Sequence, residues 1–205
     1  MAQRLVHYAI AKELINVCDI KDSSRFILGS IIPDSHSKGE YTKTHYSVKK
    51  EDKKGYDFTG FLKDYKEKVL SDDMYLGYYC HLIEDVLFRN FMYKLKGLYN
   101  KRHEENFREK LYSDYNNLNS ILKERYNLVN ITVENIPEEF ELTRLQELEE
   151  EIKSDLSSIK VSEFNYITES IICEFIDYMV DILKKEIKSL REKNISILNS
   201  EEYYY

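Results

Sequence analysis

Residues 75–88 read YLGYYCHLIEDVLF, an apolar and aromatic stretch that contains one histidine and two acids. We predict that it forms the middle of a long helix from about Asp72 to Leu98, with Ser71 as its N-cap. Since residues four apart share a face of a helix, His81 and Asp85 point in the same direction. Gly77 lies one turn earlier on that face. A mid-helix glycine costs up to ~1 kcal/mol relative to alanine, which indicates that another part of the protein approaches closely there.

Helical spacing of apolar residues also occurs on both sides of this stretch. The predicted helices cover Arg4 to Val17, a short segment that starts after Asp22 or Ser23 and is stopped by Pro33, about Phe58 to Val69, His103 to Tyr126, Pro137 to Leu156, and Val161 to about Lys193. Residues 34–56 are polar and are predicted to form a long loop, and the final SEEYYY is predicted to fray. We therefore expect an all-α single domain over residues 1–205, with six or seven helices. The candidate site lies in the half up to about residue 100, and residues from about 101 to 200 are predicted to form the C-terminal helices.

Composition excludes several classes of protein. The chain of 205 residues is 42% apolar and 33% charged, which is inconsistent with a disordered tail, a collagen or a small disulfide scaffold. A net charge of −7, with scattered basic residues, predicts no basic nucleic-acid-binding surface. Three cysteines without CxxC spacing indicate reduced thiols, and neither a signal peptide nor a transmembrane run is recognisable. The expectation is a soluble, cytoplasmic protein, and the sequence leaves the oligomeric state open.

Histidines and acids in the first 85 residues are the candidate functional residues. Three histidines and two aspartates form the kind of set that zinc favours when it also holds a water: His7, Asp34, His45, His81 and Asp85. Each has a simpler interpretation. His81 with Asp85 can be a core ion pair, and His7 can be a satisfied core residue. Asp34 can be a turn carboxylate and His45 a solvated loop residue.

The order of these residues resembles a known family. His7, then IIP before Asp34, then THY around His45, then LGYYCHLIED ending at Asp85, is similar to the zinc-dependent phospholipase C and single-strand-specific zinc nuclease family, in particular its short bacterial members without a signal peptide. The resemblance covers roughly the first hundred residues. It implies a phospholipase C-like helical fold with a zinc cluster in a cleft.

The resemblance also implies a ligand set and roles. One zinc would be held by Asp34, His45, His81 and Asp85, and a second by His7 together with Asp85 as the bridge. Asp34 would orient or deprotonate the attacking water. Secreted members add an N-terminal tryptophan and a third zinc, whereas this chain has no tryptophan and carries Phe91 where a third-site histidine would stand. The expected cofactor is therefore one or two zinc ions.

Two functions follow as expectations. The first is a zinc-dependent phosphoric-ester hydrolase, acting on a phosphodiester substrate with metal-activated water. The second is a non-catalytic helical protein with a structural zinc site. Phosphate loops, nucleophile elbows and adjacent His-Asp dipeptides are missing from the sequence, which argues against a P-loop NTPase, an α/β-hydrolase and an HD-type phosphohydrolase.

Overall fold

A computed structural model describes residues 2–36, 39–140 and 145–205. Its central element is helix α5, Asp73–Arg89, in which every residue from Asp73 to Phe88 is buried. The helix begins one residue later than predicted because Asp72 is its N-cap and accepts a hydrogen bond from the Met74 amide. It ends earlier than predicted because the backbone changes to a π-helical stretch over Asn90–Leu95.

Three helices surround α5 on the N-terminal side. Helix α1 spans Arg4–Val17, as predicted, and α2 spans Ser23–Ile31 after Asp22, whose carboxylate accepts a hydrogen bond from the Arg25 amide. Helix α4 spans Phe58–Ser71. Helix α2 lies directly against α5 and α1, and α4 packs against another side of α5.

The prediction of one long loop over residues 34–56 is wrong. A 3₁₀ turn at Ile32–Asp34 is followed, beyond two residues outside the described ranges, by helix α3, Tyr41–Thr44. An antiparallel hairpin comes next, with strand β1 at Ser47–Lys50 and strand β2 at Lys53–Tyr56.

The C-terminus pairs with this hairpin. The backbone groups of Tyr205 and Lys54 exchange two hydrogen bonds of 2.8 and 3.0 Å. Ser200 also donates a hydrogen bond to Asp57. The tail is therefore docked and not frayed as the sequence predicted.

The C-terminal half adds helices α6, Leu98–Lys101, α7, Phe107–Arg125, α8, Leu145–Leu156, and α9, Glu169–Lys193. Residues 141–144 of the helix predicted over Pro137 to Leu156 lie outside the described residues. Helix α9 begins eight residues later than predicted. The reason is that the buried Asp114 carboxylate accepts hydrogen bonds from the amides of residues 165, 166 and 167, which holds that segment in a non-helical path.

The helical class is confirmed. In the described residues, seven helices have nine residues or more, and the only sheet has two strands. The buried apolar side chains form a continuous cluster from Ala2 to Leu190, which α1, α5 and α9 all enter. Across the described ranges, no helix combines the length and the apolar character needed to cross a membrane.

Candidate metal centre

Helix α5 presents His81 and Asp85 side by side at the centre of the protein. Both side chains are fully buried, and His81 Nε2 lies 3.9 Å from Asp85 Oδ2. A neighbouring helix orients the imidazole, because His81 Nδ1 lies 2.8 Å from the backbone oxygen of Ser30 in α2. A carbonyl oxygen can only accept, so Nδ1 carries the proton and the Nε2 lone pair faces the carboxylate.

Two glycines make this approach of α2 possible. A Cβ on Gly77 would lie 2.2 Å from the Phe26 backbone oxygen, and one on Gly29 would lie 2.0 Å from the Met74 oxygen. The two helices therefore meet backbone to backbone, as the mid-helix glycine in the sequence indicated. This contact sets the distance between Ser30 and His81.

The segment before the hairpin supplies Asp34 and His45. Asp34 ends the 3₁₀ turn that Pro33 begins, and His45 follows directly after α3. The His45 ring stacks on Tyr41 with 4.0 Å between centroids, and its Nδ1 lies 3.0 Å from Thr44 Oγ1. His45 is fully buried, so it is not the solvated loop residue of the simpler interpretation.

Donor atoms of His81, Asp34 and Asp85 lie around His45 Nε2, and these four residues form a four-donor set. His45 Nε2 lies 3.3 Å from His81 Nε2, 3.4 Å from Asp34 Oδ1 and 3.5 Å from Asp85 Oδ2. His81 Nε2 lies 3.9 Å from both of those oxygens. Ligands of a tetrahedral zinc ion at 2.0–2.1 Å are separated by about 3.3 Å. The distances from His45 Nε2 are close to this value. His45, His81 and Asp85 form a group that could hold one metal ion, and Asp34 Oδ1 lies beside it.

His7 and the remaining carboxylate oxygens form a second set. His7 Nε2 lies 3.5 Å from Asp85 Oδ1 and 3.9 Å from Asp34 Oδ2. Asp85 Oδ1 also accepts a hydrogen bond from the Ala2 amide at 2.9 Å. Each aspartate thus turns one oxygen toward the four-donor set and the other toward this three-donor set, so both carboxylates can bridge. The resemblance implied a bridging role for Asp85 alone.

Unpartnered buried atoms support metal binding at this cluster. His7 Nε2 and Asp85 Oδ2 are buried and have no hydrogen-bond partner in the described protein. Such atoms are costly unless something else binds them. The Nε2 atoms of His45 and His81 also face each other at 3.3 Å. A divalent cation would satisfy these atoms, so the residues fit a bound metal ion.

The pKa values reflect the same concentration of charge. Burial opposes the charged form of His7, but the nearby carboxylates of Asp85 and Glu84 outweigh it and raise its pKa to about 10. Burial, together with the nearby His7 charge, lowers the pKa of His81 to about 3. Burial would raise the pKa of Asp34, yet its hydrogen bond with His45 and the neighbouring imidazoles lower it below the usual range. The cluster without metal holds a proton on His7, which a metal at Nε2 would displace.

A cleft of about 650 Å³ leads to the cluster. Asp34 lies on its wall and is 12% exposed, whereas the other four predicted side chains are fully buried. Four aromatic residues line the cleft: Tyr93, Phe107, Tyr112 and Tyr115. Arg108 also lines it and forms no ion pair with any residue that the structure describes. The cleft can therefore hold an anion that carries an apolar or aromatic group.

All five sequence-predicted site residues lie together in this cluster, and Asp34 connects it to the cleft. Sequence reasoning missed Glu84. This glutamate is fully buried, and its Oε2 lies 2.6 Å from His7 Nδ1. A second acid beside Asp85 in an otherwise apolar stretch was the available signal. With Glu84 included, the cluster has three carboxylates, so two divalent ions would leave a single positive charge.

The chain has no significant match among protein-family models, curated proteins or solved structures. Function is therefore inferred from the geometry of the cluster and the cleft.

Proposed function

We propose that the chain is a metal-dependent hydrolase of phosphoric esters, with a phosphodiester and water as substrates. The observation that carries this proposal is the three-donor set of His7, Asp34 Oδ2 and Asp85 Oδ1, which adjoins the cleft through Asp34. Structural zinc sites are closed by four protein ligands, whereas catalytic sites have three and keep one position open. A three-donor position beside a cleft is suited to catalysis.

The residues of the chain have distinct roles in this reaction. A divalent metal, when bound, supplies positive charge to the phosphate oxygens and lowers the pKa of water. Asp34 is the one partly exposed acid of the cluster, so it orients the attacking water and accepts its proton. The water oxygen bonds to phosphorus as the bond to the leaving oxygen breaks, and the leaving group takes up a proton. Arg108 attracts the anionic substrate, and the aromatic wall contacts its organic part.

A structural metal site is the second candidate function. It is favoured by the completeness of the four-donor set, three of whose side chains are fully buried. A protein with only this function would bind metal and gain stability but would not turn over a phosphoric ester. The two functions are separated by a rate measurement on metal-loaded protein.

The test is hydrolysis of a bis-aryl phosphate at near-neutral pH by the zinc-loaded protein. Asp34→Asn should retain metal in the four-donor set but lose about 100-fold or more in rate, since the proton acceptor is gone. Asp52→Asn, in the exposed hairpin turn, is the matched control and should hydrolyse the ester at the wild-type rate. Chelator should abolish turnover and zinc should restore it. If loaded wild type is no faster than loaded Asp34→Asn, the hydrolase proposal is wrong and the structural function takes its place.

A further inference from the structure

Glu84 is a buried acid whose carboxylate is only partly hydrogen-bonded by the described residues. Its side chain is fully buried in α5, and its Oε1 atom has no hydrogen-bond partner among the described residues. Within the described residues, its one close polar contact is the 2.6 Å hydrogen bond that Oε2 accepts from His7 Nδ1. Burying a carboxylate is unfavourable by several kcal/mol unless it is fully compensated, and a single histidine partner leaves one oxygen uncompensated.

The geometry of the imidazole separates the two acids that it contacts. Glu84 binds Nδ1, whereas Asp85 Oδ1 and Asp34 Oδ2 face Nε2, at 3.5 and 3.9 Å. The two nitrogens lie on different sides of the ring. Glu84 therefore contacts the ring nitrogen that does not face the metal position, and it does not compete with a metal ion for Nε2.

We propose that Glu84 is a positioning residue that creates a working second metal position at His7. It accepts a hydrogen bond from Nδ1–H, fixes the ring orientation and leaves the Nε2 lone pair facing Asp34 and Asp85. A carboxylate on the far nitrogen also makes a metal-bound imidazole a stronger donor, and mutation of such partners typically costs 10–100-fold in metal affinity.

This role explains how the chain can hold a second ion with three donors. The inference rests on the proposed function, since it assumes that the cluster binds metal. It goes further by assigning the second position to a His7–Glu84 pair whose acid lies outside the five residues predicted from sequence. The charge of Glu84 contributes to the compensation of two divalent ions in a buried site.

The experiment measures zinc stoichiometry and affinity on the full chain by isothermal titration calorimetry and elemental analysis. Glu84→Met removes the acceptor while keeping much of the volume, so the variant does not lose its fold to a cavity. We expect it to bind zinc normally at one position and 10–100-fold more weakly at the other. Glu84→Gln retains an oxygen for the Nδ1 proton and should lose less affinity than Glu84→Met.

Two further variants exclude a merely structural role. Glu186 is an equally buried glutamate, and it accepts its hydrogen bonds from the Tyr79 hydroxyl and the Ile197 amide instead of from a histidine of the cluster. Glu186→Gln should change the melting temperature but neither zinc affinity. In the His7→Ala background, Glu84→Met should cause no additional loss, because the two residues act through one ligand.

Failure of the Glu84 proposal and failure of the proposed function give different zinc-binding results. Wild type that binds no zinc overturns the metal centre itself. Two zinc ions bound with the same affinity by wild type and Glu84→Met overturn the positioning role alone. Equal losses in Glu84→Gln and Glu84→Met also overturn it, since glutamine keeps the acceptor in place.

Discussion

Substitution of Gly77 by alanine tests the link between helix packing and the metal cluster. The new Cβ would lie 2.2 Å from the Phe26 backbone oxygen, and ordinary contact begins at 3.4 Å, so α2 must move away by about 1.2 Å. Overpacking of this kind costs about 1–3 kcal/mol, toward the upper end here because the obstacle is backbone. Alanine recovers up to ~1 kcal/mol through its higher helix propensity. The expected net loss is about 2 kcal/mol in the free energy of unfolding.

The same movement weakens the metal site. The hydrogen bond between His81 Nδ1 and the Ser30 oxygen is 2.8 Å long and breaks when α2 moves by that distance. Loss of a partner that orients a metal-bound histidine lowers affinity by about 10-fold or more. Gly77→Ala should therefore bind zinc more weakly although Gly77 supplies no ligand.

Thermal unfolding and zinc titration are the assays. A loss of about 2 kcal/mol in a chain of this length corresponds to a melting temperature about 4–8 °C lower. Gly97→Asn is the control, because Gly97 has φ +74° and no neighbour within 4 Å of an added Cβ, and asparagine tolerates that conformation. Gly97→Asn should cost about 1 kcal/mol or less and leave zinc affinity unchanged. An unchanged melting temperature and zinc affinity in Gly77→Ala would refute the link.

Two other predictions concern metal and pH. His81→Ala should lose most of the zinc bound by purified protein. The zinc affinity of wild type should fall in acid, because imidazole must be neutral to bind metal. Folded wild type that holds no metal and whose melting temperature does not change on adding zinc would contradict this. Burial alone would raise the pKa of Asp72, but its paired hydrogen bonds with Arg25 and the Met74 amide lower it. The stability that Asp72 contributes is therefore present above its unfolded pKa of about 3.9 and is lost as the pH falls through the lower folded value. Asp72→Asn should flatten the acid limb of a plot of melting temperature against pH, and identical limbs in the two proteins would argue against it.

Helix positions follow from the sequence because their determinants are local. The bounds of α1 agree with the prediction, and α2 begins after Asp22 as expected, since apolar spacing and capping groups lie within a few residues of one another. The start of α9 was mispredicted because Asp114, about fifty residues away, binds the backbone of the segment before it. The hairpin was missed because its strands are polar and lysine-rich, and the chain end at Tyr205 extends the pairing.

The same division applies to the site. Sequence alone determined the donor types and the shared face of His81 and Asp85, because that pairing depends only on the helix repeat. Only the tertiary structure decided which oxygen of Asp34 and Asp85 faces which histidine, and that Glu84 lies behind His7. These relations join residues up to about eighty positions apart. They depend on the backbone-to-backbone contact of α2 with α5 and on the burial of α1 against both, which no local pattern encodes.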